Sequence, residues 1–292
     1  MSKWKIGRVT VTKIVELEAT GGTRFILPQA TREAVLPIDW LRPHFMDDDG
    51  KLKMSIHALV IETPTRRMIV DTCLGNDKDG RDVPGWNNLS GPFLRDLAAA
   101  GFARETIDTV MCTHLHVDHV GWNTRLENGR WVPTFKNAKY VWSQEDFDFY
   151  KELDADPQKG PANGGSFRDS VLPVVEMGKV QMVKGGAEIE DGLKVTPAPG
   201  HTPGTIRIEF ESQGTKALFC GDILHHALQV YHPEWNSFAC LDQDNARKSR
   251  RATVEHVAGS GSLLLPCHFG APFHCHIDHK GAGFAPRFAG NF

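Results

Sequence analysis

Thr113-His114-Leu115-His116-Val117-Asp118-His119 gathers three imidazoles and a carboxylate into six consecutive positions, 114 to 119, directly after an apolar run. That run, residues 106–112 with Ile107, Val110, Met111 and Cys112, reads as a buried strand. A strand tip sends alternate side chains to one side, so His114 and His116 can chelate one ion together. Asp118 and His119 fall where the chain turns toward a helix, and they can face a second ion. Imidazole mixed with carboxylate suits Zn²⁺ best, and also Mn²⁺, Fe²⁺ or Co²⁺. No packing pattern asks for such a cluster, and four donors do not complete two sites. The missing donors must come from elsewhere in the chain.

Three later segments offer them, each where an apolar stretch runs out. Gly200-His201-Thr202-Pro203-Gly204 follows Val195 and Ala198, with glycines and prolines that punctuate a loop. Residues 217–220 form a short apolar run before Gly221-Asp222. Leu263-Leu264-Leu265-Pro266-Cys267 leads into His268.

In this order, HxHxDH, then GHTPG, then GD, then a late strand-end histidine, the chain resembles the metallo-β-lactamase superfamily over nearly its whole length. The resemblance implies an α/β fold: a four-layer αβ/βα sandwich, two mixed sheets face to face with helices outside and the metal site at one edge. It implies that His114, His116 and His201 hold a first divalent ion and Asp118, His119 and His268 a second, with Asp222 bridging. Asp71, at the end of the apolar run 67–70, matches the family's early aspartate, which orients the ligand loop from behind. The family usually continues with Thr-Gly, whereas Thr72 is followed here by Cys73.

Two adjacent ions imply hydrolysis by a bridging hydroxide formed near neutral pH, with a carbonyl or phosphoryl oxygen polarised beside it. Asp118, Asp222 and His225 are the residues expected at the reacting centre. His225, three positions after Asp222, stands where related lactonases commonly carry a tyrosine, and it can donate a proton to an acyl oxygen or leaving alkoxide. The long gap between His119 and His201, with Trp86, Gly91-Pro92 and residues 97–101 before the motif, is similar to methyl parathion hydrolase and the related lactone hydrolases. Aromatic pocket walls then match Trp86, Tyr150 and Phe167, which suit a small-molecule substrate with an apolar or aryl group. Opening of a lactone or ester is preferred, with an organophosphate triester as the alternative. A glyoxalase II-like thioesterase lacks room for its C-terminal helical region after His268. A β-lactamase would not use an aspartate at Asp222, and a non-catalytic ligand-binding member would not need seven ligands.

The remaining composition sets limits. A chain of 292 residues is read as one domain, 1–292, in which residues 1–45 form a first strand and an apolar extension (24–40) that lids the site or packs on a partner, so a homodimer is expected. A net charge of −3 with scattered Lys and Arg points away from nucleic acid, and no apolar run is long enough to span a bilayer. The N-terminal segment lacks the apolar core of a signal peptide, and the six cysteines are irregularly spaced, which fits buried thiols in the cytoplasm. Arg247-Lys248-Ser249-Arg250-Arg251 falls in an amphipathic helix from Gln243 to Val257 and is read as a solvated face. In the late cluster His274-Cys275-His276-Ile277-Asp278-His279, His276 is assigned a pocket-wall or structural role.

Overall fold

Gly7, at φ +58°, turns the N-terminal segment back on itself, so β1 (Lys3–Ile6) and β2 (Val9–Thr20) pair as an antiparallel hairpin where a single strand was expected. The positive φ is open to glycine at no steric cost, which is what permits the tight reversal. The computed structural model describes residues 2–21, 26–189 and 192–288. Two units make up the chain, Met1–Glu16 with Ile56–Gly185, and Leu17–Ser55 with Gly186–Phe292.

The first unit is built on a seven-stranded mixed sheet in the order β1-β2-β3-β4-β5-β8-β9. Here β3 is Lys53–Glu62, β4 Arg67–Val70, β5 Thr109–Met111, β8 Lys139–Ser143 and β9 Val180–Val183. The strands β4, β5, β8 and β9 run parallel. Met68, Ile69, Val70, Val110, Met111, Tyr140, Val141 and Trp142 are all buried, as strands covered on both faces require. The expected strand over 106–112 is shorter than its apolar run, because Arg104–Thr106 forms a 3₁₀ turn. The Thr106 hydroxyl, bonded to the Ala103 carbonyl at 2.7 Å, closes that turn. A separate hairpin joins β6 (Thr124–Glu127) to β7 (Arg130–Pro133). After β8, Ser143 caps the helix Gln144–Ala155 by accepting the N–H groups of Glu145 and Asp146.

In the second unit a five-stranded sheet runs β10-β11-β12-β13-β14. These strands are Ala187–Glu188, Lys194–Pro197, Ile206–Ser212, Thr215–Gly221 and Leu263–Pro266. The last pair, β13 and β14, is parallel, joined through the helix Gln243–Ser260. Asp242 caps that helix by accepting Asn245 N–H, and Gly261, left-handed at φ +68°, ends it three residues beyond the expected Val257. Strands β15 (His276–Lys280) and β16 (Gly283–Arg287) form a hairpin. Leu218, Ile223, Val254, Val257, Leu264 and Phe269 lie in one core, onto which Ile26, Leu36, Ile38 and Trp40 pack. Of the apolar extension, Arg24 and Phe25 lie outside the described residues.

The α/β class with two mixed sheets and flanking helices agrees with the sequence reading. All six cysteines are buried, and none is paired in a disulfide among the described residues. Among the described residues, no helix is long and apolar enough to cross a membrane. A further expectation fails: Arg250 does not belong to a solvated face but is fully buried. Its guanidinium is drawn inward by backbone carbonyls that no sequence pattern brings into view.

Candidate metal centre

In the first unit the loop that carries His114 to His119 leaves β5 and is fixed by the side chains of Asp71, Asp146 and Asn163. Asp71, at φ +54° just past β4, accepts Thr113 N–H at 2.7 Å and the Thr113 hydroxyl at 2.9 Å, and its Oδ2 lies 3.0 Å from His119 Nδ1. Asp146 accepts Leu115 N–H at 3.0 Å, while Asn163 donates to the Leu115 carbonyl at 2.7 Å. Leu115, between His114 and His116, is therefore held from both sides. His114 Nε2 and His116 Nδ1 face each other at 3.1 Å, and the His114 and His119 rings are 4.0 Å apart. Asp118 Oδ1 stands 3.7 Å from His119 Nε2. His114 and His119 are buried, whereas His116 and Asp118 are half-buried and open outward.

The backbone beneath this loop is equally constrained. A Cβ on Gly121 would sit 1.8 Å from the Leu74 carbonyl oxygen, because residues 72–75 run directly against the turn that follows His119. Thr72 N–H bonds the His119 carbonyl at 2.8 Å, and Gly121 N–H bonds that of Cys73 at 2.7 Å. Cys73 itself is left-handed at φ +51°. That conformation explains why the family favours glycine there, and in cysteine it costs about 1 kcal/mol. Glu16 braces the same segment by accepting Leu74 N–H, Gly75 N–H and the Trp122 indole N–H. Burial pushes its carboxyl above the usual range, with the three hydrogen bonds pulling the other way. The sequence reading missed Glu16; an acid inside the apolar strand Val15-Glu16-Leu17 was the available signal.

In the second unit three imidazoles converge on one carboxylate. His201 Nε2 and His225 Nε2 each lie 3.3 Å from Asp222 Oδ2, and His268 Nε2 lies 2.9 Å from Asp222 Oδ1. The four side chains are almost wholly buried. His268 is turned by its Nδ1, 3.0 Å from the Ser55 carbonyl, and Ser55 N–H bonds the His268 carbonyl. The His201 loop lies flat on the helix Gln243–Ser260: Gly200, at φ +134°, would place a Cβ 2.1 Å from Ala246 N. His225 stacks nearly parallel to His268, and its backbone N–H is taken by Gln229 Oε1 at 2.6 Å. Its Nδ1 is buried with no hydrogen-bond partner among the described residues.

This donor chemistry fits a divalent cation. Nε2 atoms directed at a buried carboxylate, with the opposite nitrogen of His268 turned to a backbone carbonyl, is the posture of metal-ligating histidines. The unsatisfied His225 nitrogen is likewise what a site built for a bound group leaves behind.

The aromatic residues expected at a pocket are distributed differently. Tyr150 is buried, edge-on to His116 with ring centres 6.1 Å apart, and burial pushes its phenol well up. Phe167 is buried against Phe147 at 5.7 Å, and Trp86 lies half-buried in the turn Pro84–Trp86. Two apolar side chains that sequence reasoning passed over are Phe238 and Leu241, 65% and 54% exposed. Leu241 N–H bonds the His201 carbonyl at 3.0 Å, so this loop is fastened to a proposed ligand.

Residues 53–268 match the family model of the metallo-beta-lactamase superfamily, and the chain belongs to that superfamily. It is 28% identical to the uncharacterised protein YobT of Bacillus subtilis over 137 residues, 46% of this chain and 53% of the relative. It is 23% identical to an N-acyl homoserine lactonase of a Bacillus species over 181 residues, 57% of this chain and 63% of the relative. The chain thus spans between half and two thirds of the length of these curated relatives. Among solved structures, the dizinc quorum-quenching lactonase AidC, in complex with a hexanoyl-homoserine product, superposes with a TM-score of 0.77 at 21% identity, covering 100% of this chain and 97% of that one. That likeness establishes the shared fold.

Proposed function

We propose that the protein is a dinuclear metal-dependent hydrolase that opens a lactone or ester carrying an apolar or aryl group. One domain comprising both units holds two divalent ions, Zn²⁺ first among them, through His114, His116, Asp118, His119, His201, Asp222 and His268. The observation that carries the reading is the convergence of three buried imidazole nitrogens on Asp222. Such ions, when bound, supply a Lewis acid and make a water acidic enough to attack at neutral pH.

The chain's own residues do the rest. Asp71 and Asp146 fix the ligand loop, so that the donors need no reorganisation when substrate arrives. His225 is assigned the proton donor at the acyl oxygen or leaving alkoxide, through whichever ring nitrogen turns from Asp222. An imidazole N–H can make that donation. Tyr150 beside His116, and Phe238 and Leu241 on the loop fastened to His201, supply apolar surface for an acyl or aryl group. The lactonases among the relatives favour the same substrate class. Cytoplasmic location is part of the same reading.

The test is hydrolysis of acyl-homoserine lactones, dihydrocoumarin and an aryl phosphotriester by protein of measured metal content. Lactone opening that is abolished by a chelator and restored by Zn²⁺ is expected. Faster cleavage of the phosphotriester would move the assignment to organophosphates, and full metal with no ester turnover would overturn it.

A further inference from the structure

Each proposed ligand histidine that is tied at its outer nitrogen is tied to an oxygen, with one exception. His114 Nδ1 meets the Thr113 hydroxyl at 3.1 Å, His119 Nδ1 meets Asp71 at 3.0 Å, and His268 Nδ1 meets the Ser55 carbonyl at 3.0 Å. His201 Nδ1 instead meets the Cys240 sulfur at 3.6 Å. A thiol sulfur is a weak acceptor, and 3.6 Å is within its range. Cys240 is 5% exposed, so water does not compete for the contact.

What seats Cys240 is the buried arginine. Arg250 Nε donates to the Ile223 carbonyl at 2.8 Å, and Nη1 donates to the carbonyls of Pro233 and Trp235 and to Asn236 Oδ1 at 3.0, 2.7 and 2.8 Å. The guanidinium also reaches the Cys240 thiol. It thus binds both the residue after Asp222 and the loop that carries Cys240. The loop is then laced to the His201 loop by Leu241 N–H to the His201 carbonyl and Asp242 N–H to that of Gly200. Burying a guanidinium among neutral acceptors is unfavourable, and burial lowers its pKa to about 10. A solvated helix face would carry no such arrangement, whereas a residue that positions the site would.

We propose that Arg250 and Cys240 are positioning residues for His201. Arg250 seats the loop, and Cys240 accepts the His201 Nδ1 proton, holding the ring in the tautomer whose Nε2 lone pair faces Asp222. The inference rests on the proposed metal role of His201.

The experiment measures Zn²⁺ affinity by competition with a chromophoric chelator, and the His201 tautomer by ¹⁵N NMR of metal-free protein, for wild type, Cys240→Ala, Cys240→Ser and His201→Ala. Cys240→Ala is expected to weaken Zn²⁺ binding about 10- to 100-fold and to lose the single Nδ1-protonated form. Cys240→Ser, whose hydroxyl still accepts, is expected to recover most of both. Wild-type affinity and tautomer in Cys240→Ala, or no rescue by serine, would overturn the proposal. If His201→Ala also keeps wild-type affinity, the metal reading of this histidine fails first; if it loses Zn²⁺ while Cys240→Ala does not, only the positioning role fails.

Discussion

The buried Asp146 carboxylate accepts the backbone N–H of Leu115 at 3.0 Å, which pins the loop of proposed ligands to the helix Gln144–Ala155 midway between His114 and His116. Asp146→Ala strands that buried N–H and should cost about 1–3 kcal/mol in urea unfolding of the metal-free protein. Asp146→Asn keeps an acceptor oxygen and should cost less. Equal losses in the two variants would show that the acceptor is not what matters.

His225 touches Asp222 and leaves its Nδ1 unsatisfied, so its loss should spare metal binding and slow the chemistry. His225→Phe is expected to retain its metal content and to lose on the order of 10²- to 10⁴-fold in kcat for a lactone with a poor leaving group. Unchanged turnover per bound metal would remove His225 from the reaction.

A pH dependence follows from His226, next in the chain and fully buried. Its Nε2 meets the Phe45 carbonyl at 3.0 Å and its Nδ1 accepts Leu228 N–H at 3.2 Å, so both nitrogens are committed to the neutral ring. Burial lowers its pKa from 6.5 to about 4. The unfolded chain takes up this proton near pH 6.5 while the folded one refuses it until about pH 4. The contribution is therefore full above pH 6.5 and is lost as pH falls toward 4, by about 3 kcal/mol. Denaturant titrations from pH 7.5 to 4 should show that slope in wild type and a shallower one in His226→Gln; parallel slopes would contradict the assignment.

Two glycines give opposite expectations. Gly121→Ala forces a methyl against the Leu74 backbone and should destabilise by about 3 kcal/mol or more. Gly259→Ala, on the helix Gln243–Ser260 with open space at its Cβ, should stabilise by about 0.5–1 kcal/mol. Thermal melts of the two variants against wild type decide both.

The strand ends that carry the proposed ligands were legible as apolar runs, and both β4 and β14 match theirs. The helix from Gln243 was legible from the spacing of its apolar residues, whereas its Asp242 cap was not read. What stayed hidden depends on contacts between residues far apart in the chain. A charged run on an amphipathic helix reads as solvated, and nothing local shows that the carbonyls of Ile223, Pro233 and Trp235 gather around Arg250. Cys240 and Glu16 escaped for the same reason, since each gains its role from a distant partner, His201 or Trp122. The strand ends were legible in outline only: Gly7 inserts a hairpin where alternation suggested one strand.

The most direct measurement is a calorimetric titration of Zn²⁺ into metal-free protein, with lactone hydrolysis followed on the same samples. The account predicts about two equivalents bound per chain, full turnover only when both are present, and loss of binding and turnover together in Asp222→Ala. One equivalent or none at saturation, or lactone opening that persists in the metal-free protein, would contradict it.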